Sequence, residues 1–431
     1  MQSTQAVISL MVLAVLSETS PVDVLDLSTT NDSAVLAEQV WASSPDLQQA
    51  RTKVAAARAD ALRAGYLPNP ALDLSLNTIP LGPSNPPNHK DAWLNEPNVG
   101  VALSVLLEVG KRGPRQDSMH EAARAAALDA LEQLRQRVLA AEDAISDVAA
   151  AEVRVATLIV LASDAERLTR LQRARSEKGD TSPLDADRAQ LEEEGIFTSL
   201  GEARDAMAEG LRLCTEVVGA RCLPFGDRGR ASAWLERTFD VAQADFAQRP
   251  DVRSLAATQK SAQAAQLLAE RHALPDPTLR LGYVYDRFTV SGNQANSLYV
   301  GLSIPLPVFD HGQADAAAAA VAASAASQAR ERLILVATSQ LARVESELGN
   351  VESRLRRLRQ HSLPLAQSVV ERLNAAVTRG AAPIQELLLA RRTYAELLLT
   401  TNDLDRTSFR LRVARARVTG AGLTLPKELD P

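Results

Sequence analysis

The chain of 431 residues is 46% hydrophobic but only 3% aromatic, and its formal net charge of −6 is spread with no basic block or stripe. That composition suits long helices rather than a thick aromatic core, and it sets aside nucleic acid and an anionic membrane surface as partners.

Residues 1–30 form an N-terminal segment in which Ala6 to Leu16 is an apolar run. Its length fits a signal-peptide core and is short for a membrane helix. No Lys or Arg precedes it, no clear small-x-small cleavage site follows in Ser17, Glu18 and Thr19, and no cysteine follows to carry a lipid anchor.

A first repeat spans 31–219. It opens with an expected helix from Ser33 to Tyr66 that stops at Pro68. Strands follow at about 71–79 and 98–107, where Leu72, Leu74 and Leu76 alternate with Asp73 and Ser75, and Val99, Val101, Leu103 and Val105 with Gly100, Ala102 and Ser104. Between them, Pro80 to Pro97 is rich in Pro and Asn, holds His89, and reads as an irregular loop facing solvent. A helix over 114–178, on the order of 100 Å long, carries Leu131, Leu134, Val138, Ala141, Ile145 and Val148 at the 3-4 spacing of a helix–helix seam. Gly179 suits its C-terminus, and Pro183 opens a return helix over 183–218. Cys214 and Cys222, the two cysteines of the chain, fit either one small disulfide loop in an oxidising compartment or two inert thiols.

Residues 220–247 read as a linker, with Pro224, Gly226 and Gly229 ahead of an amphipathic stretch containing Trp234, Leu235 and Phe239 that suits one short helix. A second repeat over 248–420 then runs through the same plan: helix, strands at about 277–286 and 297–307, a long helix over 312–379, and a return helix over 383–419, before a tail at 421–431. Its long helix repeats the seam in Leu341, Val344, Leu348, Val351, Leu355 and Leu358. The duplication has a period of roughly 200 residues. Pro45-Asp46 recurs as Pro250-Asp251, Pro68-Asn69-Pro70 as Pro275-Asp276-Pro277, Gly179 with Pro183 as Gly380 with Pro383, and Val218-Gly219 as Thr419-Gly420.

Each strand has about the length that crosses a bilayer when tilted, and equally that of a half-buried hairpin in a soluble domain. Four strands cannot close, and an open edge in lipid strands backbone groups at several kcal/mol each. A membrane reading therefore requires an oligomer; two copies supply about eight strands and three about twelve, the larger leaving room for a conduit. A soluble coiled-coil scaffold is the competing class. Enzyme chemistry finds no support: the histidines are scattered, and there is no phosphate-binding Gly-rich loop or nucleophile elbow. No cofactor and no dedicated metal site are expected.

The duplication, Leu67-Pro68-Asn69-Pro70 before the first strand, and the glycine, proline and carboxylate at each helical turn (Gly179, Pro183, Asp185; Gly380, Pro383, Glu386) together resemble the TolC-type outer-membrane efflux proteins. The likeness covers about Ser33 to Gly420. Leu107-Glu108-Val109-Gly110-Lys111-Arg112 and Leu306-Pro307-Val308-Phe309-Asp310-His311-Gly312-Gln313 look most like its heavy-metal, CzcC-like branch. The resemblance implies a mostly α, internally duplicated fold with a small β part. Long antiparallel helical hairpins form a periplasmic α-barrel, and four strands contribute to a trimeric twelve-stranded transmembrane β-barrel. It also implies a homotrimer in the outer membrane of a Gram-negative cell, contacting its lipid, with a periplasmic adaptor (membrane fusion) protein and an inner-membrane RND-type pump as partners. The function implied is a passive exit duct, most simply for heavy-metal cations such as cobalt, zinc, cadmium or copper; the same duct could serve drug efflux or type I protein secretion.

By position, the resemblance assigns Glu386, with Asp185 and Asp187, to the channel entrance, where a ring of carboxylates favours cations. A solvated helix face is the plainer reading of the same charges. Gly179, Pro183, Gly380 and Pro383 are assigned to the helical tips that meet the adaptor. Glu108, Lys111, Arg112, Asp310 and His311 fall where strand becomes helix and read as interfacial rather than catalytic.

Overall fold

The computed structural model describes residues 24–29, 33–79, 81, 97–239, 245–286 and 294–420. The apolar run Ala6 to Leu16, most of the loop with His89, and the tail 421–431 lie outside them. The chain divides into two compact units, one of Met1–Thr52, Ala127–Arg253 and Arg332–Pro431, the other of Lys53–Ala126 and Ser254–Glu331.

The first unit is helical. Its spine is α3 (Arg112–Glu177), reached through β1 (Val24–Asp26), α1 (Ser33–Ser43), α2 (Pro45–Ala64), β2 (Ala71–Asn77) and β3 (Asn98–Leu106). The predicted seam is its core: Leu131, Leu134, Val138, Ala141, Ile145 and Val148 are each at most 5% exposed. After α3 come α4 (Pro183–Val218), β4 (Arg221–Leu223), α5 (Arg228–Glu236) and α6 (Pro250–Glu270). Strands β5 (Thr278–Tyr285) and β6 (Asn296–Ser303) precede α7 (Gln313–Arg357), α8 (Leu363–Thr378) and α9 (Ile384–Thr419). Polar ties hold α9 to α3: Asn402 Nδ2 donates to Ala150 O at 2.9 Å, and Asp147 accepts from Arg406 and Arg410 at 2.7 and 2.9 Å.

Three expectations are corrected in this unit. The first helix is not continuous from Ser33 to Tyr66. It breaks at Ser44, because Pro45 has no N–H to donate and its ring opposes an α conformation in the residue before it. The second long helix is not uniform over 312–379. A π turn at Leu358–Ser362 separates α7 from α8, and Leu363 N–H reaches back to Leu358 O. Pro364 sits at the start of α8, where its missing donor is absorbed by the widened turn. Finally, residues 1–30 are not only signal-like, and the linker is not only a loop with one helix. β1 pairs in parallel with β4, Leu25 opposite Cys222.

The short linker helix forms as expected, as α5, with Asp227 capping it through the Arg230 N–H at 3.2 Å. Trp234 and Leu235 are each 2% exposed, and Phe239 stacks at 5.7 Å from Phe409. Cys214 and Cys222 are disulfide-bonded, their Cα atoms 6.0 Å apart. The bond ties the last turn of α4 to β4. Between them the chain turns at Gly219 (φ +80°), where a Cβ would come within 2.8 Å of Ser43 O.

The second unit holds one antiparallel sheet in the order β2-β3-β5-β6. The strands are slightly shorter than expected, and Pro305, which cannot donate to a ladder, follows close on the end of β6. Register puts Leu72, Leu103, Leu281 and Val300 in one row, and Leu74, Val101, Tyr283 and Leu298 in the next. The members of these two rows are 41–78% exposed, and they belong to a predominantly apolar face that is interrupted by Asn296 in the next row, where its Oδ1 accepts from the Tyr283 hydroxyl. Asp73, Ala102, Gly282 and Tyr299 form a row of the opposite face. Among the described residues β2 and β6 have no outer neighbour, so both edges of the sheet are open. Within this unit α6 lies on the start of α3, with Ser261 Oγ donating to Ser118 O at 2.9 Å. No described helix is long and apolar enough to cross a membrane.

Candidate functional site

The two helical tips of the first unit are built alike. At the end of α3, Gly179 (φ +79°) donates to Ser176 O and Asp180 to Arg175 O. After α8, Gly380 (φ +70°) donates to Val377 O and Ala381 to Ala376 O. Each is a Schellman turn, which needs a left-handed residue at this position and satisfies the last helical carbonyls. Neither glycine is crowded, so backbone conformation alone selects it. The return helices start differently. Ser182 Oγ caps α4 through the Leu184 N–H at 3.2 Å with Pro183 in the first turn, whereas Pro383 itself precedes α9 without a side-chain cap.

Beneath the tips Leu168, Val377, Ile384 and Leu387 form a small apolar core, Leu387 fully enclosed. Because Ile384 and Leu387 point inward, Glu386 is turned outward and is exposed. Asp187 is exposed as well. Asp185 is not a bare carboxylate: Gln385 Nε2 donates to it at 3.0 Å and Arg188 lies 3.5 Å away. The structure thus brings Asp185 beside the residue next to Glu386, through a contact between the two return helices that spacing alone did not reveal. A second tie joins the ends of the long helices, Arg175 Nη1 donating to Val377 O at 3.1 Å. Acidic groups in first turns also complement the helix dipole, so their placement stabilises the helices regardless of any other role.

Adjoining this core is a cavity of about 90 Å³ whose lining includes Leu161, Leu168, Ile196, Arg391 and Tyr394. Arg391 donates to Asp164 O at 3.3 Å, while its Nε has no hydrogen-bond partner among the described residues. Burial holds the guanidinium below its ordinary pKa, against the pull of Asp164. Arg391 lies five residues past Glu386, and nothing in its spacing sets it apart in a helix full of charge.

In the second unit the predicted junction residues are tied up structurally. Lys111 Nζ sits 2.6 Å from Asp276 Oδ2, the other oxygen of which accepts from Val109 N–H at 2.9 Å. Glu108 pairs with Arg115, Nη2 to Oε2 at 2.9 Å, and Arg112 donates to Gly65 O at 2.8 Å. Asp310 Oδ1 accepts from Gly312 N–H, and His311 N–H donates to Gln313 Oε1. Gly312 is obligatory: at φ +86° a Cβ would lie 2.1 Å from Ala269 O. These contacts set the angle between strand and helix. Among the described residues no cluster of His, Cys, Asp and Glu could hold a metal ion.

Residues 36–210 match the model of the family described as outer membrane efflux protein. No curated protein sequence matches the chain. By structure the chain is similar to the outer-membrane channel OprN, at 20% identity and a TM-score of 0.69, covering 92% of this chain and 91% of that one. It is similar also to CusC, described for its folding and transmembrane channel formation, at 16% identity and a TM-score of 0.73, with 91% and 93% covered. The open state of the MtrE outer membrane channel of Neisseria gonorrhoeae aligns at 14% identity and a TM-score of 0.69, with 91% and 89% covered. The fold is therefore that of the TolC-like channels: mostly helical, with a few strands.

Proposed function

We propose that the chain is the outer-membrane channel of a tripartite efflux system, a passive exit duct with its sheet in the outer membrane of a Gram-negative cell and its helices in the periplasm. One observation carries this reading: a four-stranded sheet exposes a predominantly apolar face, keeps a polar face opposite, and among the described residues has two open edges. In water such a face is a liability. In lipid it is a wall, provided that other copies pair with the edges, and three copies close a barrel of about twelve strands. The outer-membrane efflux match over 36–210 supports the same assignment.

The proposed partners are those that the family resemblance implies: two further copies, a periplasmic adaptor at the tips of Gly179 and Gly380, and an inner-membrane RND-type pump that supplies the energy. Heavy-metal cations are the proposed cargo, on the strand–helix junction sequences that resemble the metal branch. The exposed Glu386 is the proposed entrance carboxylate, together with Asp187, exposed on the other return helix, and Asp185, partly neutralised. A duct needs no resident metal site, since selection can reside in the pump.

Cell fractionation tests the channel: the mature chain belongs in the outer membrane as a trimer, and recovery as a soluble monomer overturns the reading. Deleting the gene while the pump is expressed tests the cargo. Loss of tolerance to cobalt, zinc, cadmium or copper is expected, and unchanged tolerance removes the metal assignment in favour of drugs or a secreted polypeptide.

A further inference from the structure

The four strands contain two charged residues, Asp73 on β2 and Arg280 on β5. Both belong to the polar face, the one that lines the bore if the chain forms a channel. They are not cross-strand neighbours. Asp73 stands opposite Ala102 of β3, whereas Arg280 stands opposite Ser104 on the other side of that strand. Even so, Arg280 Nε reaches to 3.9 Å from Asp73 Oδ2, passing over β3. Small side chains make that possible: on this face β3 presents Gly100, Ala102 and Ser104 along its length. The next long side chain behaves likewise, since the Tyr299 ring lies over Gly282 of β5, where a Cβ would come within 2.4 Å of it. Asp73 Oδ2 is shut off from solvent and has no hydrogen-bond partner among the described residues, so the guanidinium is the charge that answers it.

We propose that the Asp73–Arg280 pair sets the ionic selectivity of the bore, by cancelling in place the charges that its strands carry. The proposal rests on the channel reading. Threefold repetition would put three such pairs around the wall. With both members present the wall is neutral, and the duct discriminates little between cations and anions there. Without Asp73, three uncompensated guanidinium groups face the path and oppose cations. Without Arg280, three carboxylates do the reverse.

The test is reversal potential across planar lipid bilayers under a KCl gradient, with the full chain as purified trimer. Asp73→Asn should raise chloride over potassium permeability by roughly twofold, and Arg280→Gln should change it by a similar factor in the opposite direction. The double variant, neutral like the wild type, should return close to the wild-type value. Wild-type channels together with single variants of unaltered reversal potential overturn the proposal. So does loss of channels in both single variants but not in the double, which would make the pair an assembly device. If the wild-type protein forms no channel at all, it is the channel reading that fails.

Discussion

The two long helices of the duplication each carry a 3-4 apolar row, but the rows fall at different distances from the glycine turn and differ in burial. In α3 the 3-4 row from Leu131 to Val148 is enclosed, whereas in the second half Val344, Leu348 and Leu355 are buried but Leu341, Val351 and Leu358 are only half covered. Leu335 stands as far ahead of Gly380 as Leu134 stands ahead of Gly179. Leu134 is 0% exposed and Leu335 is 71% exposed. A repeated sequence pattern therefore specifies a helix that needs a partner, without specifying that the partner belongs to the same chain. The first copy found its partners inside the protomer. In the proposed trimer the second leaves apolar groups for the neighbouring copies.

The sharpest way to break that comparison is to truncate the two equivalent leucines. Leu134→Ala empties an enclosed site and should cost about 2–5 kcal/mol. Leu335→Ala should cost less than about 0.5 kcal/mol in the isolated protomer, as exposed substitutions do. Denaturant unfolding measures both, and sedimentation of the assembled protein should show Leu335→Ala weakening self-association. Equal losses in the protomer would mean that the two helices are equally buried and that the asymmetry is not real.

The disulfide marks a second difference, because only the first half has one. There, Gly219 is followed by β4, and Cys214–Cys222 ties that strand to α4 while β1 pairs along it. The second half ends at Gly420, also left-handed, where the backbone is held by Arg249 donating to Val418 O at 2.6 Å. Opening so short a loop by Cys214→Ser with Cys222→Ser should cost about 2–3 kcal/mol. The loss should be matched in the wild type under reducing conditions. A double variant that unfolds at the wild-type midpoint would show that β1 and the Trp234 cluster hold this region unaided.

Much of this plan was legible in the residues, and the failures have physical causes. The seams, the tips at Gly179 and Gly380 and the four strands were visible because each rests on a local period or an obligatory conformation. The break at Pro45 was within reach, since its counterpart Pro250 opens a helix in the second repeat. The turn at Leu358–Ser362 was harder, because the apolar spacing runs on through Pro364 and a π turn preserves the helix on both sides. Strands β1 and β4, three residues each, are too short to alternate. Contacts such as Gln385 with Asp185, or Arg280 with Asp73, depend on how separate elements are placed and leave no trace in spacing. At the junctions the residue types are legible in the sequence, but the pairing of Glu108 with Arg115 and of Lys111 with Asp276 is not.

The smallest expected effect isolates one charge that distinguishes the halves. Asp143 stands as far ahead of Gly179 as Val344 stands ahead of Gly380, so the first half carries a carboxylate where the second buries an apolar side chain. Burial pushes the Asp143 carboxyl above its ordinary pKa, a push reinforced by Asp147 and opposed by Arg417 and Arg410. Among the described residues its Oδ1 has no hydrogen-bond partner, and its Oδ2 is 3.6 Å from Arg417. A carboxyl whose folded pKa lies above its unfolded value binds more protons in the native state. Its contribution to stability therefore falls as pH rises from the ordinary carboxylate range, roughly pH 4, through the raised folded value, and stays low beyond it. Asp143→Asn abolishes that titration while keeping the shape. The variant should gain on the wild type as pH rises through this window, by less than about 1 kcal/mol at neutral pH. Comparing unfolding midpoints of the two proteins at each pH cancels the other buried carboxyls, Glu152 and Asp405, which shift in the same direction. A difference that stays constant with pH would mean that Arg417 and Arg410 compensate Asp143 fully, leaving the carboxylate as well accommodated in its half as Val344 is in the other.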